Sequence, residues 1–277
     1  MANTLKDEIE KFLTFPSIEE QIGAKPKFGR LILQDERSKD HPLRAIASKD
    51  VKPTVKPRKE RKWRARWQGN QGSSSMCTAF SFLHCFEHEP INHPRSYGKY
   101  KGCPIPCVDP RILYCEAQQI DPWPGGCRGF KIEDPKTISP FSDYDGTSVL
   151  AMMKVAQTRG YISEYNWEFS NVDTVVETVM NKGPVIVGTN WYRQMELKPN
   201  DPNTNEALLL AQGSLVGGHA YLIDEVNLTR KGKGREIGIF NSWGPEWGWS
   251  GRAYMSLDTL EKLIREDGEV VFATEIP

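Results

Sequence analysis

A nine-residue stretch, TAFSFLHCF at residues 78–86, is apolar on nearly every face when it is placed on a helix. Surface helices of globular proteins carry one apolar stripe and one polar face, whereas a helix that is apolar all round has to be enclosed by other elements. The stretch therefore predicts a buried helix, with the preceding serines at 73–75 available as caps. A chain of 277 residues can bury such a helix in one large domain or in two packed lobes.

Helical and β patterns are unevenly distributed along the rest of the chain. Helical periodicity is present at 147–159, where it ends at Gly160, and at 173–182, where it ends at Gly183. The β-patterned runs follow later: VIVGT, HAYLIDEVN, EIGIFNSW and GRAYMSL. Helices that come first and strands that come later predict an α+β fold with two segregated lobes.

Charge and composition exclude several classes of protein. Formal net charge is zero, with 36 basic and 36 acidic residues, so whole-molecule electrostatics predict no nucleic-acid partner. Residues 49–66 nevertheless hold nine Lys or Arg against two acids. We interpret them as a solvated, extended segment, with a cleavable linker or a contact with an anionic partner as alternatives. Because no run of about 18 apolar residues exists, no membrane span is expected.

The N-terminal region differs from the remainder of the chain. Residues 4–14 carry an amphipathic helical pattern, and the segment from Pro16 to about Arg66 shows little periodicity and much proline and charge. We expect this segment to be an extended arm laid over the main domain, or partly disordered. The first residues, MANTLKDEIEKF, are polar and acidic where a secretory signal would be basic and then apolar. This predicts a cytoplasmic protein, of a cell or of an infected host.

Cys77 and His219 have the properties of a reactive thiol and its proton partner. Cys77 stands at the head of the predicted buried helix, where the helix dipole and a nearby imidazolium can lower a thiol pKa from about 8.5 to about 3.5–7.5. His219 is the one histidine in the C-terminal half, and Gly217 and Gly218 before it leave room for a substrate beside the ring. The alternatives are a small core cysteine and a histidine satisfied within a strand.

A tryptophan-rich segment follows His219 after 22 residues. NSWGPEWGWSG at 241–251 places three tryptophans within seven residues and interleaves them with glycine. Asn241 at its head can accept the imidazole N–H and fix the orientation of the ring, which is the task of the third group in a catalytic triad.

Three stretches together resemble the papain family of cysteine peptidases: QGSSSMCTAFS at 71–81, GGHA at 217–220 and NSWGPEWGWSG. Their order matches, and His219 lies 142 residues after Cys77, within the roughly 130–150 of that family. The resemblance implies a two-lobed fold, with a helical lobe that carries the nucleophile helix and a β-rich lobe that carries His and Asn. It also implies hydrolysis of protein or peptide substrates through a thioester, without a cofactor.

The roles that the resemblance implies fall on particular residues. Cys77 corresponds to the nucleophile, His219 to the general base and acid, and Asn241 to the residue that orients the imidazole. Gln71 corresponds to the side-chain amide that lines the oxyanion hole. The implied substrate-binding residues are Gly146, which pairs with the substrate backbone, Gly218, Met76, Trp243, which shields the His–Asn hydrogen bond, and Trp247, which flanks the primed side of the groove.

Departures from the family pattern concern the loop before the nucleophile and the leader. Ser75 and Met76 stand where a Gly-Ser pair is usual, and their bulk predicts a preference for small residues just before the cleaved bond. GRLILQDERSKDHPLRA at 29–45 resembles the short leader of bacterial and viral members rather than the long lysosomal propeptide. The resemblance divides the chain into an arm at 1–53 and a peptidase domain at 54–277. We expect docking of the arm to modulate activity rather than to block it.

Other cysteines and histidines leave several alternatives open. For Cys103, Cys107, Cys115 and Cys127 we favour free thiols, with a disulfide or a zinc site as alternatives, so no metal is predicted. Cys85 is expected in the core. His84 and His88 are expected on the solvent side of a helix end. A catalytically silent papain-like module, such as a virion component, is the alternative to an active peptidase.

Overall fold

The computed structural model describes residues 28–47, 58–65, 68–91, 109–123, 127, 146–196, 200–201, 206–230 and 236–275. Within these ranges the helices are α1 (Arg44–Ala47), α2 (Cys77–Glu87), α3 (Pro110–Ile120), α4 (Val149–Thr158), α5 (Val172–Asn181), α6 (Arg193–Glu196) and α7 (Leu257–Arg265). The strands are β1 (Arg30–Leu31), β2 (Glu60–Lys62), β3 (Thr147–Ser148), β4 (Ile162–Glu168), β5 (Val185–Tyr192), β6 (Asn200–Asp201), β7 (Glu206–Ala207), β8 (Leu215–Asn227), β9 (Ile237–Phe240), β10 (Arg252–Met255) and β11 (Glu269–Glu275). Two short 3-10 turns lie at Glu36–Asp40 and Leu228–Arg230.

An antiparallel sheet forms the centre of the molecule. Its strand order is β10-β9-β8-β5-β11-β4, and β2 pairs with one end of the long strand β8. Alternate side chains of a strand point to opposite faces. On β8, Ala220 and Leu222 accordingly belong to one buried cluster, and Tyr221 and Ile223 belong to another. The period-two pattern of HAYLIDEVN thus supplies both cores at once.

The helices are divided between the two faces of the sheet. Helices α2, α3 and α4 pack in one cluster, and α5 and α7 pack in the other. Every residue of α2 is buried, which confirms the prediction of an enclosed helix. The predicted serine cap is wrong, because Met76 occupies the N-cap position without a side-chain hydrogen bond and the Ser74 hydroxyl donates instead to the Gln71 carbonyl.

The α+β prediction is confirmed, although the order of elements is less simple than the sequence suggested. Strand β4 precedes α5, and α7 lies between β10 and β11. Helix α3 was not predicted, yet it begins with a standard signal, since the Asp109 carboxylate accepts from the Arg111 N–H and Pro110 fills the first turn. The partial separation still leaves α2, α3 and α4 together on one side of the sheet.

The expectation that His84 and His88 face solvent is wrong. Both side chains are buried because α2 is enclosed, and buried polar groups need internal partners. His84 Nε2 accepts from the Gly69 N–H at 3.0 Å, and His88 Nε2 lies 3.2 Å from Asp224 Oδ2. Asp224 also binds Arg252 through two contacts of 2.6 Å. These groups form a buried polar network between α2 and the sheet.

The expectation of free thiols is wrong for Cys115 and Cys127, which form a disulfide with a Cα–Cα distance of 5.2 Å. Eleven intervening residues could not by themselves indicate that the two cysteines lie within bridging distance. Cys77 and Cys85 are free and buried, so Cys85 is in the core as predicted. Cys103 and Cys107 lie outside the described residues.

Within the described ranges, no cluster of three or more His, Cys, Asp or Glu side chains is arranged to hold a metal ion. None of the helices in those ranges combines the length and apolarity needed to cross a membrane.

The described part of the N-terminal region packs on the sheet domain. Leu43 is fully buried, and its N–H donates to the Trp167 carbonyl at 2.7 Å. The predicted helix at 4–14 and most of the basic segment at 49–66 lie outside the described residues. The boundary between residues 53 and 54 stays a prediction.

Candidate active site

The Cys77 thiol lies where the N-terminus of α2 meets strand β8. Backbone N–H groups of Ala220, Gly29 and Thr78 are directed at the sulfur. Ala220 is the residue after His219 on β8, so this contact places the cysteine of the helical side next to the histidine of the sheet. The N–H of Thr78 belongs to the first turn of α2, where unpaired donors favour negative charge.

His219 lies within hydrogen-bonding distance of Asn241. His219 Nε2 lies 2.8 Å from Asn241 Oδ1, and the Ser242 backbone N–H donates to the same oxygen at 2.8 Å. Because a backbone N–H can only donate, this contact identifies the atom as the amide oxygen, and Nε2 therefore carries a proton. His219 Nδ1 is buried and has no hydrogen-bond partner in the described part of the chain. It is the nitrogen left to exchange a proton with a thiol.

Aromatic rings enclose the His–Asn pair. The ring of Trp243 lies 4.8 Å from that of His219 at 37°, and Trp247 packs edge-on against Trp243 at 5.4 Å. Both tryptophans are buried. Trp191 on β5 also lies 4.8 Å from the histidine ring, at 75°. No sequence pattern indicated Trp191, because only the pairing of β5 with β8 brings it to the histidine.

Gln71 is buried beside the loop that precedes α2 and is tied to the segment after β9. Its Nε2 donates to the Ser74 carbonyl at 2.7 Å, and its Oε1 accepts from the Ser242 hydroxyl at 2.5 Å. Its backbone N–H donates to the Ser242 carbonyl at 2.8 Å. Ser242, which the sequence did not single out, thus ties the predicted oxyanion residue Gln71 to the neighbour of Asn241 in the chain.

The residues Phe28–Leu31 run through the groove beside the thiol. Strand β1 pairs in parallel with β3, and the Thr147 N–H donates to the Gly29 carbonyl at 2.8 Å. A Cβ at Gly29 would meet the Ser75 carbonyl oxygen at 1.9 Å, so only glycine fits in this narrow channel. The ring of Phe28 lies 6.1 Å from His219 and 6.0 Å from Trp243.

The predicted substrate-binding glycines contact this segment. A Cβ on Gly146 would meet the Gly29 carbonyl oxygen at 2.6 Å, and one on Gly218 would meet the Arg30 carbonyl oxygen at 2.3 Å. The backbone bond to the segment nevertheless comes from Thr147, because the Gly146 N–H is already donated to the Tyr114 hydroxyl at 2.8 Å. Met76 is fully buried below the loop.

Burial under this segment keeps the thiol and imidazole uncharged. Burial raises the Cys77 pKa to about 11, against the lowering effect of the surrounding N–H groups. Burial also lowers the His219 pKa to about 4, although the hydrogen bond to Asn241 acts in the opposite direction. Loss of water disfavours both charged forms. At neutral pH the covered site therefore holds a neutral thiol and a neutral imidazole.

Comparison with solved structures identifies the architecture. Xylellain, a cysteine protease from Xylella fastidiosa, matches with a TM-score of 0.58 and 16% identity over 91% of this chain and 97% of its own. The fold is papain-like. Digestive procathepsin L 3 from the larval midgut of Tenebrio molitor matches this papain-like fold with a TM-score of 0.55 and 15% identity, over 93% of this chain and 79% of its own. Procathepsin B from Trypanosoma congolense gives 0.53 and 11%, over 90% and 86%.

No protein-family model matches the sequence, and no curated protein matches it. The papain-like fold is therefore shared with these structures at 11–16% sequence identity. The predicted fold class is confirmed. The helix that begins at Cys77 packs against the sheet, and strand β8 of that sheet carries His219.

Proposed function

We propose that the chain is a cysteine endopeptidase that hydrolyses protein or peptide substrates through Cys77, His219 and Asn241. The observation that carries the proposal is the His219–Asn241 hydrogen bond of 2.8 Å beside a thiol that lies at a helix N-terminus. The papain-like fold supports the same reaction class. The short-leader resemblance and a cytoplasmic location remain parts of this proposal, although a disulfide is more usual in oxidising compartments.

The arrangement suits nucleophilic acyl transfer. The Cys77 proton passes to His219 Nδ1 while the sulfur attacks the substrate carbonyl carbon. The resulting oxyanion is stabilised by the Cys77 N–H and the Gln71 amide. The C–N bond then breaks, and the leaving amine takes the proton from His219. Water, deprotonated by the same imidazole, hydrolyses the thioester and returns the thiol.

The described state is a covered form of this enzyme. The backbone N–H of Gly29 faces the sulfur. The fully buried thiol and its raised pKa are also what a silent scaffold would show. The segment Phe28–Leu31 accounts for both features without loss of catalytic groups, because its removal would let water and substrate reach the pair.

Replacement of Gln71 with alanine distinguishes the two functions. We expect the second-order rate constant for hydrolysis of an unfolded protein to fall by about 10²- to 10³-fold, since loss of an oxyanion donor costs about 2.7–4 kcal/mol. The exposed Gln157, whose amide donates to the Ser163 carbonyl, is the control for a glutamine-to-alanine change elsewhere. Equal rates for Gln71→Ala and the wild type would argue against a role of Gln71 in the oxyanion hole.

Acid is expected to uncover the site. In the covered state the pKa of His219 is about 4, against an ordinary value of 6.5. Neutral His219 therefore stabilises the covered state above pH 6.5, and this stabilisation is lost as the pH falls through 4. Between pH 6.5 and pH 4 the uncovered fraction of the protein should rise by up to about tenfold for each unit by which the pH falls. The measurement is Cys77 labelling by an acid-tolerant disulfide reagent.

The labelling rate of wild type is divided by that of a Gly29→Ala chain at each pH, which corrects for the titration of the thiol itself. In that chain the added Cβ would clash with the Ser75 carbonyl and open the groove. A ratio that stays constant from pH 7 to pH 4 would contradict the expected effect.

A further inference from the structure

The segment in the groove places one charged side chain in a closed pocket. Arg30 has no exposed side-chain surface, and Glu269 at the base of the pocket is 1% exposed. Arg30 Nε lies 2.9 Å from Glu269 Oε1, and Arg30 Nη2 donates to the Asp267 carbonyl at 2.5 Å. A carboxylate and a carbonyl thus converge on a guanidinium, which carries five donors in a planar fork.

The shape of the pocket depends on a missing side chain. Gly188 on β5 forms part of its wall, and a Cβ there would lie 2.9 Å from Arg30 Nε and 2.9 Å from Glu269 Oε1. The same Cβ would meet Val149 Cγ2 at 3.0 Å. A larger residue at Gly188 would therefore fill the space that the guanidinium occupies. The combination of Gly188 and Glu269 makes the pocket both long enough and acidic enough for arginine.

Arg30 does not use every hydrogen-bonding group in the pocket. Among the described residues, Arg30 Nη1 and Glu269 Oε2 are both buried without a hydrogen-bond partner. A carboxylate that uses one oxygen can still form the two parallel bonds of a bidentate pair. The pocket therefore has an unused acceptor for an arginine that enters in a slightly different orientation.

The geometry at the thiol determines which substrate residue reaches this pocket. His219 must protonate the leaving amine, so the part of a substrate after the cleaved bond lies on the side of His219 and Trp243, where Phe28 packs. Gly29 fills the narrow channel at the sulfur, and Arg30 lies on the opposite, acyl side. The channel would then accommodate the substrate residue just before the cleaved bond. The Glu269 pocket would accommodate the residue before that one.

We propose that Glu269 and Gly188 form a specificity pocket that selects substrates with arginine as the second residue before the cleaved bond. This rests on the proposed peptidase function. A substrate that presents the side chains of Phe28, Gly29 and Arg30 at the same places has them in reverse order, as Arg-Gly-Phe cleaved after glycine. The small residue in the middle agrees with the narrow channel beside Ser75.

The test measures binding, so that it does not depend on hydrolysis. The full chain with Arg30→Ala and Cys77→Ala has an emptied pocket and no nucleophile. Fluorescein-labelled peptides Ala-Ala-Arg-Gly-Phe-Ala and the same peptide with citrulline, a neutral shape mimic of arginine, are titrated by fluorescence anisotropy. We expect the arginine peptide to bind about thirtyfold more tightly, as for a buried charge pair. A further Glu269→Gln change should reduce the difference to about threefold or less.

A Glu266→Gln change is the matched control, because Glu266 is a nearby acid that accepts from the Tyr192 hydroxyl at 2.5 Å instead of from Arg30. It should leave the arginine preference in place. Equal binding of the two peptides, an arginine preference that survives Glu269→Gln, or no binding of either peptide would overturn the pocket. Failure of the peptidase function is seen separately, as absence of hydrolysis by the Arg30→Ala chain with Cys77 intact.

Discussion

Replacement of Cys77 with alanine is expected to lower peptide hydrolysis by about 10⁶-fold, to the level left when a covalent nucleophile is removed. The fold should survive, because the side chain is completely buried and alanine is only slightly smaller than cysteine. Hydrolysis of an unfolded protein is compared in Arg30→Ala chains with and without Cys77→Ala, because residues 28–31 cover the thiol of the wild type, and thermal unfolding checks the structure.

Cys85 provides a matched control for this change. It lies on the same helix, it is also a free and buried thiol, and its burial raises its pKa to about 12. Cys85→Ala should keep essentially all activity. Loss of activity in Cys85→Ala, with activity retained in Cys77→Ala, would show that Cys85 and not Cys77 is the nucleophile.

Replacement of Arg30 with alanine is expected to raise the labelling rate of Cys77 in the full chain by about 150- to 4,000-fold. The change leaves Glu269 without the charge it is paired with in the covered state, and loss of one partner of a buried ion pair costs about 3–5 kcal/mol. The uncovered state lets water reach the carboxylate, so the equilibrium shifts toward it. Alkylation by iodoacetamide, followed by mass analysis, gives the rate.

Arg37 gives the control for the loss of an arginine from the same segment of the chain. It is exposed and forms an ion pair with Asp35 at 2.5 Å, far from Glu269 in the chain. Arg37→Ala should leave the labelling rate of Cys77 unchanged. Gly29→Ala should raise that rate even though Arg30 is retained. If neither Arg30→Ala nor Gly29→Ala accelerates labelling, residues 28–31 do not restrict access.

This expected effect differs from the sequence prediction that arm docking only modulates activity. The leader-like stretch at 29–45 could be found by resemblance, but its path could not. The fit of Gly29 against Ser75 and of Arg30 against Glu269 joins residues that are far apart in the chain. No local pattern reports such contacts. The geometry of these residues favours blockage over modulation.

Those parts of the site that follow local rules could be predicted. The all-round apolar pattern after Cys77 implied an enclosed helix, and the pattern of HAYLIDEVN implied a strand. Trp191 and Ser242 were missed because strand pairing and a side-chain hydrogen bond bring them in. The surroundings of His84 and His88 were misjudged, because a histidine pair on a helix does not reveal that Asp224 and Arg252 lie opposite.

The disulfide shows the same limit for covalent structure. Spacing alone allowed free thiols, a zinc site or a bridge, and only the folded positions of Cys115 and Cys127 decide for the bridge. The pairing depends on the position of a whole helix, which the cysteine pattern does not contain.

The proposal that Cys77 is the activated nucleophile is tested most directly by a papain-type epoxide inhibitor. The Arg30→Ala chain is incubated with the inhibitor at pH 6, digested and mapped by mass spectrometry. We expect one equivalent of inhibitor on Cys77 and none on Cys85, because only Cys77 has His219 and the helix N-terminus beside it. Modification of Cys85 instead, or an unmodified Cys77 in a folded chain, would contradict the proposed nucleophile.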